Sequence, residues 1–394
     1  MKRQSQLRGS VSQIQTRVAC AAAISSALAL VLLIGATLSA QAQTFSTLYN
    51  FTGNGDSANP FAGLVRDTAG NLYGTTIHGG AYGYGTVYKL DIAGNETVLY
   101  SFAAYPDAEF SWAPLILDAA GNLYGSTFDG GALQQGAIFK LDTTGQETVL
   151  YSFAQWTGKH PIGALVRDSM GDIYGVTSSG GASGHGAVFR LNPTGKEAKL
   201  HSFTGIDGSG PAGGIVRDES GNIYGTTSGG GAYHSGTVFK LDTTGALTVL
   251  HTFTNGADGR YPNADLIRDS SGNLYGVTGG GRISYGTVFK VDAAGVETVL
   301  YDFTNGADGG YPDGGLVRDS AGNLYGTTGG GGTAGLGTVF KLDTQGTETV
   351  LHSFTGTDGQ VPQGDLIQDW AGNLYGTTLE GGTSDGGTIF KLTP

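Results

Sequence analysis

Residues 322–326 read Gly-Asn-Leu-Tyr-Gly, and this string or a close variant of it occurs seven times in the chain. The tyrosine of each copy lies 50 or 51 residues after the tyrosine of the copy before it. A fixed period over most of a chain is the signature of a repeat architecture, so the fold must be derived from the repeat. The seven tyrosines are Tyr73, Tyr124, Tyr174, Tyr224, Tyr275, Tyr325 and Tyr375.

Each repeat reads as four short strands, which in the sixth copy span residues 315–318, 323–328, 337–342 and 348–354. These segments are rich in Val, Thr, Tyr and Phe and alternate roughly with period two, as half-buried strands do. Asp-x-x-Gly turns join the first strand to the second and the third to the fourth. The aspartate can cap its own turn, and the glycine supplies the positive φ that the turn needs.

The two ends of the chain complement each other, which predicts a closed ring. The last copy reaches residues 390–394 without its fourth strand, and residues 44–51 match that strand. An open solenoid would need capping repeats, whereas closure removes the exposed sheet edges at the ends. The sequence therefore predicts an all-β protein in which residues 43–394 form a single domain, a seven-bladed β-propeller of four-stranded blades. The N-terminal strand is expected to complete the last blade.

The repeat unit G-N-L-Y-G-T-T…G-T-V-F-K-L-D…E-T-V-L-Y-S-F resembles the GloVer tandem repeat of exported bacterial proteins. The resemblance covers about residues 44–394. It implies an exported repeat protein and carries no biochemical role with it. The similarity to kelch and NHL propellers extends only to the general blade pattern.

Residues 1–42 differ in composition from the rest and predict an export signal. Four basic residues and no acidic one stand within the first 17 positions, and an apolar run follows from about residue 18 to 38. Ala40-Gln41-Ala42 then provides small residues at the two positions that a signal peptidase reads. We expect cleavage before Gln43 and delivery to the periplasm, cell surface or medium. A retained membrane anchor is the alternative.

Composition and charge exclude several classes of protein. The 394 residues include one cysteine, which excludes disulfide scaffolds and cysteine-based zinc sites. With 21 basic and 33 acidic residues, the net charge of −12 argues against a nucleic-acid partner. Glycine is abundant at 71 residues, but 39% hydrophobic and 10% aromatic content suffices for a core. We expect a monomer with no membrane span once the signal is removed.

Residues that recur in every repeat are interpreted as scaffold. Aromatic residues of the third strands, which bury large areas, are predicted to pack between blades together with a ring of fourth-strand phenylalanines. The arginines that precede the turn aspartates are predicted to pair locally with those carboxylates, with an anion-binding ring as the alternative. The arginines are Arg66, Arg167, Arg217, Arg268 and Arg318.

Loops that break the repeat supply the candidate ligand contacts, on the face that carries the inter-blade loops and the loops between second and third strands. The inter-blade loop usually reads Phe-Thr-Gly-x-Asp-Gly-x-x-Pro, and residues 105–112 and 156–160 depart from it. Exposed aromatic residues flanked by polar groups suit sugar rings, and blade-specific loop packing is the alternative. The candidate ligand-binding residues are Tyr82, Tyr84, Glu109, Trp112, Trp156, His160, Tyr233, His234, Arg260, Tyr261, Arg282 and Tyr311.

Three classes of function remain open. The sequence contains no His-Glu-x-x-His motif, no phosphate-binding motif and no Gly-x-Ser-x-Gly nucleophile elbow, which requires a helix directly after the serine turn. The leading hypothesis is an exported, non-catalytic module that binds carbohydrate or a cell-surface partner around the central channel. A secreted lactonase, lyase or glycoside hydrolase is the first alternative, with Glu109, His160, Arg260 and Arg282 as its catalytic candidates. A structural or assembly repeat protein is the second.

No cofactor or metal is predicted, and calcium is the alternative. The inter-blade aspartates, and Asp265, Asp313 and Asp365 close to the innermost strands, carry the oxygen ligands that calcium prefers. They lie on different blades, however, and no local string resembles a calcium-binding loop.

Overall fold

The computed structural model of the protein describes residues 43–53, 55–103, 105, 107–281 and 284–394. The predicted signal, residues 1–42, and the candidate residue Arg282 lie outside these residues. Within the described ranges the secondary structure is entirely β, and no helix is long and apolar enough to cross a membrane. Seven four-stranded antiparallel sheets follow one another along the chain and form the blades of a propeller, as predicted.

The strands of each blade are given in order from the innermost to the outermost strand. Blade 1 has Val65–Arg66, Leu72–Thr76, Thr86–Leu90 and Glu96–Ser101; blade 2 has Ile116–Leu117, Leu123–Thr127, Ala137–Leu141 and Glu147–Ser152; blade 3 has Lys159–Arg167, Ile173–Ser179, Ala187–Leu191 and Glu197–Ser202; blade 4 has Val216–Arg217, Ile223–Thr227, Thr237–Leu241 and Leu247–Thr252. Blade 5 has Ile267–Arg268, Leu274–Thr278, Thr287–Val291 and Glu297–Asp302; blade 6 has Val317–Arg318, Leu324–Thr328, Thr338–Leu342 and Glu348–Ser353; blade 7 has Ile367–Gln368, Leu374–Thr378, Thr388–Thr393 and Thr44–Asn50. Two short ladders in the loops pair Ser57–Ala58 with His78–Gly79 and Ala108–Glu109 with Asp129–Gly130.

Blade 7 is built from both ends of the described chain, which confirms the predicted closure. The strand Thr44–Asn50 is the outermost strand of that blade and pairs with Thr388–Thr393. Just beyond it, the Phe51 N–H donates to the Gly387 carbonyl over 3.0 Å. The strand that closes the ring thereby occupies a sheet edge that would otherwise be open to pairing with other chains.

Each residue of the Gly-Asn-Leu-Tyr-Gly string has a separate structural role, which blade 6 illustrates. Gly322 adopts φ +94° at the end of the turn that begins at Asp319. The Asn323 side chain donates to the Asp319 carboxylate over 2.7 Å, and the Tyr325 hydroxyl donates to it over 3.1 Å. Burial alone would raise the pKa of Asp319, but these hydrogen bonds hold it below its usual value. Leu324 lies in the core.

The last glycine of the string makes room for an aromatic ring. A Cβ placed on Gly326 would lie 2.7 Å from Cζ of Phe340, the third-strand aromatic residue of the same blade. The Phe340 ring in turn meets Phe303 of the preceding blade edge to face, with ring centroids 5.1 Å apart. Such pairs contribute about 0.5–1.5 kcal/mol each beyond the area that they bury. The same contact recurs at all seven blade interfaces, between residues 51–88, 102–139, 153–189, 203–239, 253–289, 303–340 and 354–390.

The repeat arginines do not pair locally with the turn aspartates, so that prediction is wrong. The Arg217 guanidinium lies 3.9 Å from the ring centroid of Tyr174 on the preceding blade, and 3.3 Å from Asp168 of that blade's turn. The local turn carboxylate, Asp218, is already occupied by hydrogen bonds from Asn222 and Tyr224. The arginine therefore reaches across the interface, where a tyrosine face and the neighbouring carboxylate are available.

One residue of each inter-blade loop adopts a left-handed backbone and joins two blades; these seven are called the bridging residues. The Tyr261 N–H donates to the Ser235 carbonyl of blade 4, and the Tyr261 carbonyl accepts from Gly279 of blade 5, both over 3.0 Å. This backbone costs a non-glycine residue roughly 1–2 kcal/mol, so the paired hydrogen bonds hold it in place. The bridging residues are Asn59, Phe110, His160, Gly210, Tyr261, Tyr311 and Val361, with φ between +54° and +63°.

We expect Gly326→Ala to lower the free energy of unfolding by about 1–3 kcal/mol, because its methyl group overpacks the seat of the Phe340 ring. The matched control is Gly229→Ala, since a Cβ there meets only the Ser209 carbonyl, at an ordinary 3.6 Å. Chemical denaturation measures both. Equal effects of the two substitutions would contradict the role assigned to the glycine.

Candidate functional site

A cavity of about 210 Å³ lies on the propeller axis, where the inter-blade loops enter the innermost strands. It is lined by residues from all seven blades, which only an axial cavity can be. The residue twelve positions before each repeat tyrosine faces it, and these seven residues are called the mouth ring. They are Phe61, Trp112, Ile162, Ala212, Asn263, Asp313 and Gln363.

The mouth ring is polar on the side of blades 5, 6 and 7. The Asp313 carboxylate accepts hydrogen bonds from the Asn263 amide over 3.0 Å and from the Gln363 amide over 3.4 Å. Burial raises the pKa of Asp313, and the two amide donors oppose that rise. The Asn263 Oδ1 atom is buried without a hydrogen-bond partner among the described residues. On this side of the cavity, the Asp313 carboxylate is therefore held in place by hydrogen bonds from two amide side chains.

The opposite side of the mouth ring, on blades 1 to 3, is aromatic and aliphatic. The Trp112 and Phe61 ring centroids lie 5.6 Å apart, and Ile162 continues the apolar wall. Behind it, Phe128 stacks on Trp112 with centroids 4.4 Å apart. The Trp112 indole N–H is buried and has no hydrogen-bond partner in the described ranges. The cavity is therefore amphipathic across its width.

Below the mouth ring, two carboxyl groups meet in the channel; they are called the throat pair. Asp265 and Asp365 occupy the position ten residues before the repeat tyrosine in blades 5 and 7. The Gly214 N–H donates to Asp265, and the Gly315 N–H donates to Asp365 over 2.5 Å. Burial and the negative charge of Asp265 hold the pKa of Asp365 well above its usual value. A hydrogen bond between the Asp365 and Asp265 side chains also favours the protonated form of Asp365.

A second cavity, of about 340 Å³, lies among the loops of blades 5 and 6 and brings several candidate residues together. Its wall includes Arg260, Tyr261 and Tyr311, which the sequence singled out, and also Tyr285. The Arg260 guanidinium lies 4.6 Å from the Tyr261 ring centroid, and the Tyr285 and Tyr311 rings meet edge to face at 5.6 Å. These four side chains are called the tyrosine groove.

Glu109 and His160 support loops and do not line the axial cavity. The buried Glu109 carboxylate accepts from the Tyr105 N–H over 3.0 Å and from the Gln134 side chain over 3.3 Å. The His160 ring lies 4.3 Å from the Phe128 ring, so it stands behind Trp112. Burial lowers the pKa of His160 although Asp129 opposes the shift.

The remaining candidates are dispersed over the loop face. Trp156 is 69% exposed, and its carbonyl accepts from Lys199 of the outermost strand of blade 3, so it lies away from Trp112. Tyr84 packs against the core between blades 1 and 2, and His234 lines a shallow cavity with His185. Tyr82 and Tyr233 are largely exposed. Only Trp112 of the predicted aromatic patch faces the axial cavity.

The ligand-binding residues predicted from the sequence do not include the three aspartates that line the axial cavity. Asp265, Asp313 and Asp365 lie on different blades, and ring closure is what brings them to one axis. Alignment of the seven repeats on their tyrosines would have revealed them, because polar residues occupy the mouth-ring position only in blades 5, 6 and 7, and the position two residues later is aspartate only in blades 5 and 7. No group of three or more His, Cys, Asp or Glu side chains in the described part of the chain could hold a metal ion. Calcium binding stays an untested alternative.

Residues 36–220 and 213–394 each match the family description "Gloeobacter/Verrucomicrobia repeat". The chain belongs to this family. The match confirms the resemblance that the repeat string indicated, and in this Gloeobacter/Verrucomicrobia repeat protein the matched ranges include every blade. No curated protein matches the chain.

Solved structures share the fold at low identity. Virginiamycin B lyase from Staphylococcus aureus is 14% identical with a TM-score of 0.61, over 89% of this chain and 99% of that one. The extracellular domain of a putative one-component system from B. thetaiotaomicron is 10% identical with a TM-score of 0.56, over 88% of this chain and 39% of that one. Identities this low establish the propeller and nothing about its ligand.

We expect Asp365→Asn to stabilise the protein increasingly as the pH rises above the usual aspartate pKa of about 3.9. Because the pKa of Asp365 is raised in the fold, the stabilisation by its protonated form is complete below that usual pKa and is lost as the pH rises. Asparagine keeps a neutral group at every pH. Thermal unfolding at a series of pH values measures the difference.

The matched control is Asp319→Asn in a blade turn. The pKa of Asp319 is lowered, so its carboxylate stabilises the fold above that range and loses the contribution as the pH falls. Asp319→Asn should therefore destabilise the protein most near neutral pH, where Asp365→Asn is expected to stabilise it. A pH-independent effect of Asp365→Asn would contradict the raised pKa of Asp365.

Proposed function

We propose that the protein is an exported binding module that takes a sugar residue in the axial cavity. The observation that carries this proposal is the division of the mouth ring into an aromatic side around Trp112 and a polar side around Asp313. Binding cavities that combine apolar walls with a few placed polar groups orient ligands that have both kinds of surface. A sugar ring is such a ligand, because its C–H faces are apolar and its rim carries hydroxyl groups.

The aromatic side supports stacking. Phe61 and Phe128 flank the Trp112 indole, so the ring plane is held before a ligand arrives. Preorganised aromatic side chains supply contact area with little loss of rotamer freedom. A flat apolar sugar face against Trp112 would gain most of its binding energy there.

The polar side supports recognition of hydroxyl groups. An ionised Asp313 accepts hydrogen bonds, and the Asn263 and Gln363 amides provide both donors and acceptors. Hydrogen bonds to a charged acceptor are about twice as strong as those between neutral groups. The volume of about 210 Å³ lies below the ~300–1,000 Å³ of drug-sized ligand sites, which favours a single sugar unit or a chain end.

A propeller enzyme is the second candidate, and the throat pair favours it. A buried carboxyl group with a raised pKa, next to a second carboxyl group beneath a ligand cavity, is a common arrangement for acid–base chemistry. Asp265 and Asp365 would take this role in place of Glu109 and His160, which lie in supporting loops. Release of a product from a bound saccharide distinguishes the two functions.

Calorimetric titration against neutral oligosaccharides, with reducing-end release followed in the same samples, tests the proposal. We expect binding without product. Trp112→Ala should weaken binding about tenfold or more, which corresponds to 1.4 kcal/mol for each factor of ten. Asp313→Asn should weaken it less, because the amide keeps one acceptor and loses the charge.

Trp156→Ala is the matched control, since this tryptophan is exposed and lies on a peripheral loop. Its affinity should equal that of the wild type. Weaker binding by Trp156→Ala together with unchanged binding by Trp112→Ala would overturn the cavity as the site. Product release that disappears in Asp365→Asn would replace the binding function with the enzymatic one.

A further inference from the structure

The tyrosine groove contains three aromatic rings that are held in place and open to solvent. Tyr261, Tyr285 and Tyr311 are 45%, 42% and 43% exposed, although large aromatic side chains usually lie inside a fold. Tyr261 and Tyr311 are bridging residues, and their backbone N–H groups donate to the Ser235 and Tyr285 carbonyls. Tyrosine occupies the bridging position only in blades 5 and 6. The general needs of the repeat therefore do not account for these rings.

The floor of the groove is formed by three glycines, and the Asp313 and Asn263 side chains lie next to the first of them, Gly279. Residues 279–281 are all glycine, and a Cβ placed on Gly280 would meet no heavy atom within 4 Å. At the same position after the second strand, blade 2 has Asp129 and blade 7 has Glu380. Blade 5 thus leaves open space between the rings, large enough for the cavity of about 340 Å³.

The charge in the groove comes from Arg260. Its guanidinium lies over the Tyr261 ring, and its Nε atom is buried without a hydrogen-bond partner among the described residues. No salt bridge pairs Arg260 with a carboxylate among the described residues, which is also true of the repeat arginines other than Arg217. What distinguishes Arg260 is its setting, because none of the described residues that line the groove is acidic. In a chain with a net charge of −12, this places an uncompensated cation in a cavity.

A guanidinium has planar donors that match two oxygens of one carboxylate or sulfate group. The tyrosine rings beside it supply flat apolar faces, and their hydroxyl groups supply donors and acceptors. The ligand that matches both features is a sugar ring that carries an oxyanion. The axial cavity does not suit such a group, because its described lining contains three aspartates and no arginine or lysine.

We propose that the tyrosine groove is a second binding site, specific for an anionic sugar residue whose carboxylate or sulfate pairs with Arg260. The choice of a glycan as the ligand rests on the proposed function. The location of this second site does not, because none of the residues that line it also lines the axial cavity. Tyr261 precedes Asn263 of the mouth ring by two residues, and Tyr311 precedes Asp313 by two, which is about 7 Å of extended chain. One acidic oligosaccharide can place a charged unit in the groove and a neutral unit on the axis.

The test compares three probes by calorimetry in low salt: an oligogalacturonate, a sulfated galactan oligosaccharide and a neutral oligosaccharide of similar length. We expect the wild type to bind an acidic probe more tightly than the neutral one. Arg260→Gln should weaken that binding about tenfold or more, because it removes a charged hydrogen-bond donor. Its affinity for the neutral probe should stay within about twofold of the wild type. Preference between the two acidic probes identifies the oxyanion.

Three further variants separate the chemistry of the groove from effects on folding. Arg260→Lys keeps the charge and loses the planar fork, so it should bind with intermediate affinity. Tyr311→Phe keeps the ring and should bind more tightly than Tyr311→Ala. Arg318→Gln is the control, because this arginine also lies over a tyrosine ring but at the opposite end of an innermost strand. It should match the wild type.

Equal affinity of the wild type and Arg260→Gln for both acidic probes would overturn the groove site, as would acidic probes that bind no better than the neutral one. The axial proposal fails on a different result, namely unchanged binding of the neutral probe by Trp112→Ala. The two outcomes are therefore distinguishable in one set of titrations.

Discussion

The architecture depends on the contact between a glycine and an aromatic ring, repeated once in every blade. Gly326 leaves its Cα uncovered so that Phe340 can lie on it, and Phe340 then meets Phe303 of the neighbouring blade edge to face. A side chain at the glycine would displace the ring and with it the blade interface. Because the same contact joins all seven blades, the interior of the protein has little freedom to vary. Individual chemistry is confined to the loop face and the axis.

The bridging residues transmit this regularity to the functional face. Each connects two blades through its own N–H and carbonyl groups and holds a side chain in a fixed, left-handed position. The mouth-ring residue follows two positions later and the throat position two after that. Changes at a few equivalent positions therefore alter the site without altering the scaffold. Tyr261, Asn263 and Asp265 of blade 5 differ from Asn59, Phe61 and Gly63 of blade 1 in this way.

The sequence predicted the scaffold well because local rules and the repeat agree. The turn aspartates, the turn glycines, the aromatic rings between blades and the closing strand all lie where the string and its period placed them. Prediction of the site was less complete. Four of the predicted ligand-binding residues line the two cavities, namely Trp112, Arg260, Tyr261 and Tyr311. Trp156 and Glu109 do not line them, although they also belong to loops that depart from the repeat. Proximity along a loop does not determine which side chains share a cavity.

The sequence by itself determined the number of blades, the strand pattern and the closure, since a 50-residue period and short-range turn chemistry are properties of the chain. Tertiary structure alone decided which residues converge. Asp265 and Asp365 are 100 positions apart, yet ring closure places them in one channel, where burial and the charge of Asp265 raise the pKa of Asp365. The tertiary structure also places the repeat arginines over the tyrosine rings of the preceding blade. Both results follow from distances across blades, which no local pattern specifies.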